Sequence, residues 1–177
     1  SFAGRSPALA VKDAGEAYMA WQQDGAFWWA AWRDGAWQQA EPLADGVGSN
    51  MSLRWSDNLY GEPGLAAAWQ SHIEPDGKEE AASPGGLQWS YARPDDEAGL
   101  VWTTPAELTD NRYLDYAPVL AIGANGEPVL VWVSVDPSNL EADSDLYYRI
   151  LSEKSAGPVW TFVEPEMPDD LPVDLAD

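Results

Sequence analysis

The chain has 177 residues, of which 45% are hydrophobic and 12% aromatic, so it is long enough to bury a core and too apolar to be a disordered polymer. Thirty acidic residues against nine basic ones give a formal charge of -21, a field that repels nucleic acid and anionic lipid and favours cations, cationic partners or a salty medium. Cysteine is absent, which excludes a disulfide framework or a thiolate metal site, and no apolar run is long enough to cross a membrane as a helix.

Residues 1–5 read as a linker. Strand-like segments then alternate with turn signals. Ala8 to Val11, Ala17 to Gln22, Phe27 to Trp32 and Ala36 to Ala40 are separated by Gly15, Asp24-Gly25 and Asp34-Gly35, and Asp-Gly pairs between apolar runs mark hairpins because both residues accept positive φ. Met51 to Trp55, Gly64 to Gln70, Leu87 to Tyr91 and Val101 to Thr104 form a second set. Val119 to Ile122, Val129 to Val135, Leu146 to Leu151 and Val159 to Val163 form a third, with a turn at Gly123-Ala124-Asn125-Gly126. No segment holds a helical period over ten residues.

The sets repeat. Pro7-Ala8-Leu9-Ala10 leads to Gly15 and Trp21, and Pro118-Val119-Leu120-Ala121 leads to Gly126 and Trp132 at the same offsets; a looser version ends in Ala66-Ala67-Ala68-Trp69. Trp37 to Leu43 and Trp102 to Leu108 match in the same way. Repeats of about 40 to 60 residues with four short strands each are what a β-propeller blade requires. The expected organisation is all-β, with three four-stranded antiparallel blades at 6–45, 46–110 and 111–167 and an acidic tail at 168–177. Three blades are fewer than a closed propeller uses. The expectation is a part of a larger propeller, or a chain whose copies associate to close one, for instance two copies about a two-fold axis.

The frame Pro-x-Leu-Ala, Gly, Trp, followed by an aromatic strand and Gly-x(x)-Trp, resembles the blades of bacterial sialidase-like and related secreted β-propellers over about residues 6–167. The resemblance implies an exported protein, extracellular, on the cell surface or in the periplasm, among glycosidases, lectins and adhesin modules. The sialidase aspartate box, Ser-x-Asp-x-Gly-x-x-Trp, does not occur, and the spacing of the six arginines picks out no triad.

Trp28, Trp32, Trp55, Tyr60, Tyr113 and Tyr116 are candidates for a sugar-stacking platform, against the alternative that they are inter-blade core. The loop residues Asp136, Asn139, Glu141, Asp143 and Asp145 offer hard oxygens suited to Ca²⁺, against the alternative of a solvated acidic loop. Glu62, Asp110 and Asp115 sit near loop aromatics. His72, the only histidine, reads as a surface loop residue. The functional expectation is a non-catalytic binding or structural module that contacts a glycan or a protein surface and associates with itself or with further blades. The alternatives are a sialidase-like or other glycoside hydrolase and an architectural subunit of a surface filament or larger assembly.

Overall fold

A computed structural model describes residues 5–73, 83–95, 99–109, 113–136, 138, 145–152 and 159–162. The expected acidic tail, residues 1–4 of the linker and Asp110 lie outside them. Among the described residues, fourteen strands fall into three antiparallel sheets. The first holds β1 (Arg5–Val11), β2 (Ala17–Gln23), β3 (Ala26–Arg33), β4 (Ala36–Trp37) and β5 (Glu41–Asp45). The second holds β6 (Val47–Leu59), β7 (Glu62–Ile73), β8 (Ser83–Asp95), β9 (Gly99–Trp102) and β10 (Ala106–Glu107). The third holds β11 (Leu114–Ile122), β12 (Pro128–Val135), β13 (Asp145–Ser152) and β14 (Val159–Phe162). Each is a meander of four strand positions, the topology of a propeller blade.

The fourth position differs from the continuous strand expected over Ala36 to Ala40. In the first sheet it is broken in two: β4 pairs with the end of β3 at Trp32 and Arg33, and β5 pairs with its start at Ala26 to Trp29. In the second sheet β9 and β10 divide the edge of β8 in the same way. Polar side chains complete the ladder across that second break, where Pro105 offers no N–H. Tyr91 N donates to Thr103 Oγ1 at 3.2 Å within the break, and just past β10 Leu87 N donates to Thr109 Oγ1 at 3.0 Å. The shared Trp-to-Leu spacing marks this break, and Leu43 and Leu108 plug the core behind it.

The first strand of every sheet carries the same irregularity. Register shifts lie between Arg5 and Ala8, between Ser49 and Ser52, and between Tyr116 and Val119. Each contains one non-glycine residue at positive φ: Ser6 at 51°, Asn50 at 51° and Ala117 at 52°. These are β-bulges, which bend a strand and increase its twist.

Two inter-sheet cores result. The first packs Tyr18, Phe27 and Trp29 of the first sheet against Leu53, Leu65, Ala67 and Trp69 of the second. The second packs Ala66, Ala68, Leu87 and Trp89 against Leu120, Leu130 and Trp132 of the third. Strand β7 is therefore buried on both faces, odd positions toward the first sheet and even positions toward the third. Its Ala66-Ala67-Ala68 run lets the flanking aromatics approach closely. Arg149 ties the third sheet to the second through a 2.6 Å hydrogen bond from Nη1 to the Leu108 carbonyl, and burial pushes its guanidinium pKa down to about 9.

The turn before β12 docks on the turn before β7. Tyr60 N donates to the Gly126 carbonyl at 3.1 Å. Gly126 has φ of 85°, and a Cβ there would run into the Asn58 backbone carbonyl. Gly25 also has positive φ, at 77°, but a Cβ on it would meet nothing within 4 Å. Gly25→Ala should therefore cost about 1 kcal/mol, the left-handed penalty alone. Gly126→Ala should cost about 3 kcal/mol or more because backbone must also move. Denaturant unfolding of the two variants checks the ranking.

On the first sheet, Glu16 gathers Lys12 Nζ at 2.5 Å, Tyr18 Oη at 2.7 Å and Arg33 Nε at 2.5 Å. Burial alone would raise its pKa, but the hydrogen bonds from Lys12, Tyr18 and Arg33 outweigh it and hold the carboxyl at about 2. A depressed carboxylate stabilises the fold above its unfolded pKa and loses that contribution as pH falls toward the folded one. Stability should thus decline between roughly pH 5 and pH 2, and Glu16→Gln should flatten that decline in an acid titration followed by near-ultraviolet circular dichroism.

Candidate functional site

A cavity of about 170 Å³ opens between the first and second sheets, lined by Phe27, Asp45, Gly46, Val47, Trp69, Ser71, His72, Gln88 and Glu107. The register explains its contents. Trp69 pairs across β7 and β8 with Gln88, and Gln88 pairs with Glu107 of β10. Directly opposed residues share a face, so an aromatic ring, an amide and a carboxylate stand in one row facing the first sheet. Phe27 meets Trp69 from across the gap, with ring centroids 5.1 Å apart at 40°, and the crossover from β5 to β6 brings Asp45.

The repeat explains why there is space. In the third sheet the second-strand Trp132 pairs with Tyr147, and the rings stack at 5.9 Å. In the first sheet Trp21 pairs with Trp28. Only the middle repeat places a non-aromatic residue, Gln88, opposite its tryptophan. The floor is dry and the rim is wet: Trp69 and Phe27 are buried, while Asp45 and Glu107 are exposed. Trp69 Nε1 is buried without a hydrogen-bond partner.

A polar network adjoins the wall formed by Ser71 and His72. Ser49 Oγ lies 3.0 Å from His72 Nε2, and Asn50 Nδ2 donates to Gln70 Oε1 at 3.0 Å. Ser71 Oγ donates to the Gly86 carbonyl at 2.7 Å. Asn50 is the bulge residue of β6, so the bulge that bends the strand also aims a side chain at this network. His72 is a half-buried residue of β7 paired with Val47, not the surface loop residue its neighbours suggest.

The six aromatic candidates do not meet. Trp28 and Trp32 share the outer face of the first sheet; Trp28 Nε1 donates to the Gln23 carbonyl at 3.3 Å, and Trp32 packs edge-on to Trp37 at 5.6 Å. Trp55 stacks on Tyr18 at 5.2 Å between the first two sheets, with Lys12 Nζ 5.0 Å from its ring centroid. Tyr60 sits at positive φ in the turn before β7 and meets Tyr91 at 5.7 Å between the second and third sheets. Tyr113 is exposed, and Tyr116, half-buried, lies within β11 rather than in a loop.

Of the candidate calcium ligands, Asp136 is exposed and accepts from Ser138 N at 2.8 Å and Ser138 Oγ at 2.7 Å. These bonds lower its pKa. Asn139, Glu141 and Asp143 lie outside the described residues, and Asp145 begins β13. No cluster of three or more metal-ligating side chains occurs among the described residues. Asp115 is buried and accepts from Trp132 Nε1 at 3.1 Å.

Phe27, Asp45, Trp69, Gln88 and Glu107 were not legible as a set, because they come from five strands. The signal available was Gln88 itself, a polar residue where the other repeats carry Trp28 and Tyr147.

No protein-family model matches the sequence, and no curated protein matches it. Among solved structures, the chain is similar to a protein of unknown function from Dyadobacter fermentans (TM-score 0.61, 15% identity, 89% of this chain and 54% of that one). It is also similar to the xylan β-1,4-xylosidase of Bacillus halodurans (TM-score 0.53, 11% identity, 85% of this chain and 30% of that one). The chain thus spans about half of the first structure and under a third of the second. At these identities the likeness defines the fold: a β-propeller-type array of blades, similar to that of a glycosidase.

Restoring an aromatic opposite Trp69 should close the cavity. Gln88→Tyr reproduces the Trp132–Tyr147 pair and should raise stability by about 1 kcal/mol. Thermal unfolding of this variant beside the unaltered chain measures it.

Proposed function

We propose that this chain is a non-catalytic carbohydrate-binding β-propeller module of an exported protein, and that it holds a single sugar ring in the cavity between its first two sheets. The observation that carries the reading is the row Trp69–Gln88–Glu107 facing Phe27, with Asp45 at the rim. A pyranose has an apolar face of C–H groups and an equator of hydroxyls. Buried indole and phenyl rings suit the first, and a carboxylate beside an amide suits the second by accepting from and donating to adjacent hydroxyls. The volume is well below that of a drug-sized pocket, which favours one ring over an extended chain.

A second reading is glycoside hydrolysis. Asp45 and Glu107 both line the cavity, and two carboxylates across a sugar are the minimal hydrolytic machinery. The likeness to a xylosidase makes xylosides the first substrates to try.

Saturation-transfer NMR and calorimetry with a panel of monosaccharides, xylose and xylotriose included, test binding. A Kd near 1 mM, about −4 kcal/mol, is expected for one ring. Glu107→Gln should weaken it about tenfold by removing a charged acceptor, and Gln88→Tyr should abolish it while leaving the fold intact. No transfer from any sugar, or unchanged binding in Gln88→Tyr, overturns the assignment. Release of nitrophenol from an aryl xyloside, lost in both Asp45→Asn and Glu107→Gln, would replace it with the hydrolytic reading.

A further inference from the structure

The charge around the cavity narrows what it can hold. Its lining contains two carboxylates, Asp45 and Glu107, and no lysine or arginine. Among the described residues neither carboxylate has an ion-pair partner. Unpaired acids are common in a chain with thirty acidic residues against nine basic ones. These two differ in standing at the rim of a cavity floored by Trp69 and Phe27.

Elsewhere the chain shows what it packs into such surroundings. Among the described residues three basic side chains each lie over an aromatic ring and beside a carboxylate. Lys12 Nζ is 5.0 Å from the ring centroid of Trp55 and pairs with Glu16 at 2.5 Å. The Arg33 guanidinium is 6.0 Å from the ring of Tyr18 and pairs with the same Glu16. That of Arg93 is 5.3 Å from the ring of Tyr91, with Glu62 3.8 Å away. A ring face and a carboxylate both attract positive charge, and the two attractions add. The cavity repeats the ring and the carboxylate, but His72 is the only lining residue able to carry positive charge. Its Nε2 is already engaged by Ser49 Oγ at 3.0 Å.

The same lining disfavours two other occupants. A uronate or other acidic sugar would set a further carboxylate against Asp45 and Glu107, in a chain of net charge -21. A bare Ca²⁺ ion takes about six to eight oxygens, and no group of three or more metal-ligating side chains occurs among the described residues. An ammonium group is a compact charge with three donors, which two carboxylates and an amide can share. Trp69 Nε1, buried without a hydrogen-bond partner, calls for an acceptor. The hydroxyl and ring oxygens of a sugar supply one, and a simple alkylamine does not.

We propose, resting on the carbohydrate reading above, that the ring held in this cavity is an amino sugar, a hexosamine bound in its ammonium form. The cationic nitrogen lies at the rim formed by Asp45 and Glu107, and an oxygen of the ring accepts from Trp69 Nε1.

The test is calorimetry at about pH 7, where an amine of this type is mostly protonated. It compares glucosamine with glucose, which carries a hydroxyl in place of the ammonium group. Glucosamine should bind at least about tenfold more tightly, since its hydrogen bonds to the carboxylates are charge-assisted on both sides. Glucuronate should not bind. About 1 M NaCl, with a screening length of about 3 Å, should shrink the preference. In the double variant Asp45→Asn, Glu107→Gln the ratio of the two dissociation constants should fall to about one. Both positions are exposed, so near-ultraviolet dichroism should show the fold retained. Gln88→Tyr, which fills the cavity, should remove glucosamine binding. Equal affinity for glucose and glucosamine overturns the proposal and leaves the carbohydrate reading standing, whereas failure of both sugars to bind overturns both. Methylammonium bound as tightly as glucosamine also overturns both, because the ring then contributes nothing. A preference that survives in the double variant, or glucosamine binding that survives in Gln88→Tyr, places the cation elsewhere on this acidic chain and overturns the proposal.

Discussion

The two-sided burial of β7 is the constraint on which the structure rests. A strand with one buried face alternates apolar and polar residues, and its sheet turns its other side to water. Leu65 to Trp69 contains no polar residue, and all five are at 0% exposure. Both faces of the second sheet must therefore be covered, and the first and third sheets do the covering. The alanines at the centre set how closely these sheets approach. The large side chains that fill the remaining space come from neighbouring sheets: Tyr18 and Trp29 on one side, Trp132 and Leu120 on the other. Stacking sheets this way gives a one-dimensional array whose stability is a sum of sheet and interface contributions.

The cavity follows from one departure within that array. Each inter-sheet joint pairs a second-strand tryptophan with a residue of the third strand. Where that residue is Tyr147 the joint is closed by stacking. Where it is Gln88 the joint is left open, and the broken fourth strand delivers Glu107 to the same row. The opening is possible because the fold does not depend on that pair: Leu53, Leu65 and Tyr18 hold the sheets together elsewhere. The cavity thus arises from one altered repeat position, and the network of Ser49, Asn50 and Gln70 adjoins it at His72.

The sequence by itself determined the class of fold and the strand order. Offsets of proline, leucine, glycine and tryptophan recur because each repeat must present the same knobs to the next. Asp24-Gly25 and Asp34-Gly35 fixed their turns by local φ preference alone, and the period of two in Phe27 to Trp32 assigned its faces. Tyr60-Gly61, a turn of the same kind with tyrosine at positive φ, carried no such local mark. The broken fourth strand was visible only as a Trp-to-Leu spacing, since pairing with two ends of one strand is a matter of register. The position of the aromatic candidates was decided by tertiary structure: Trp55 and Tyr60 lie in different inter-sheet cores, although the sequence permits both to sit on one surface. The cavity was decided there as well. Asp45, Trp69, Gln88 and Glu107 become neighbours only when two sheets face one another, and the distance across that gap is set by residues elsewhere in the core.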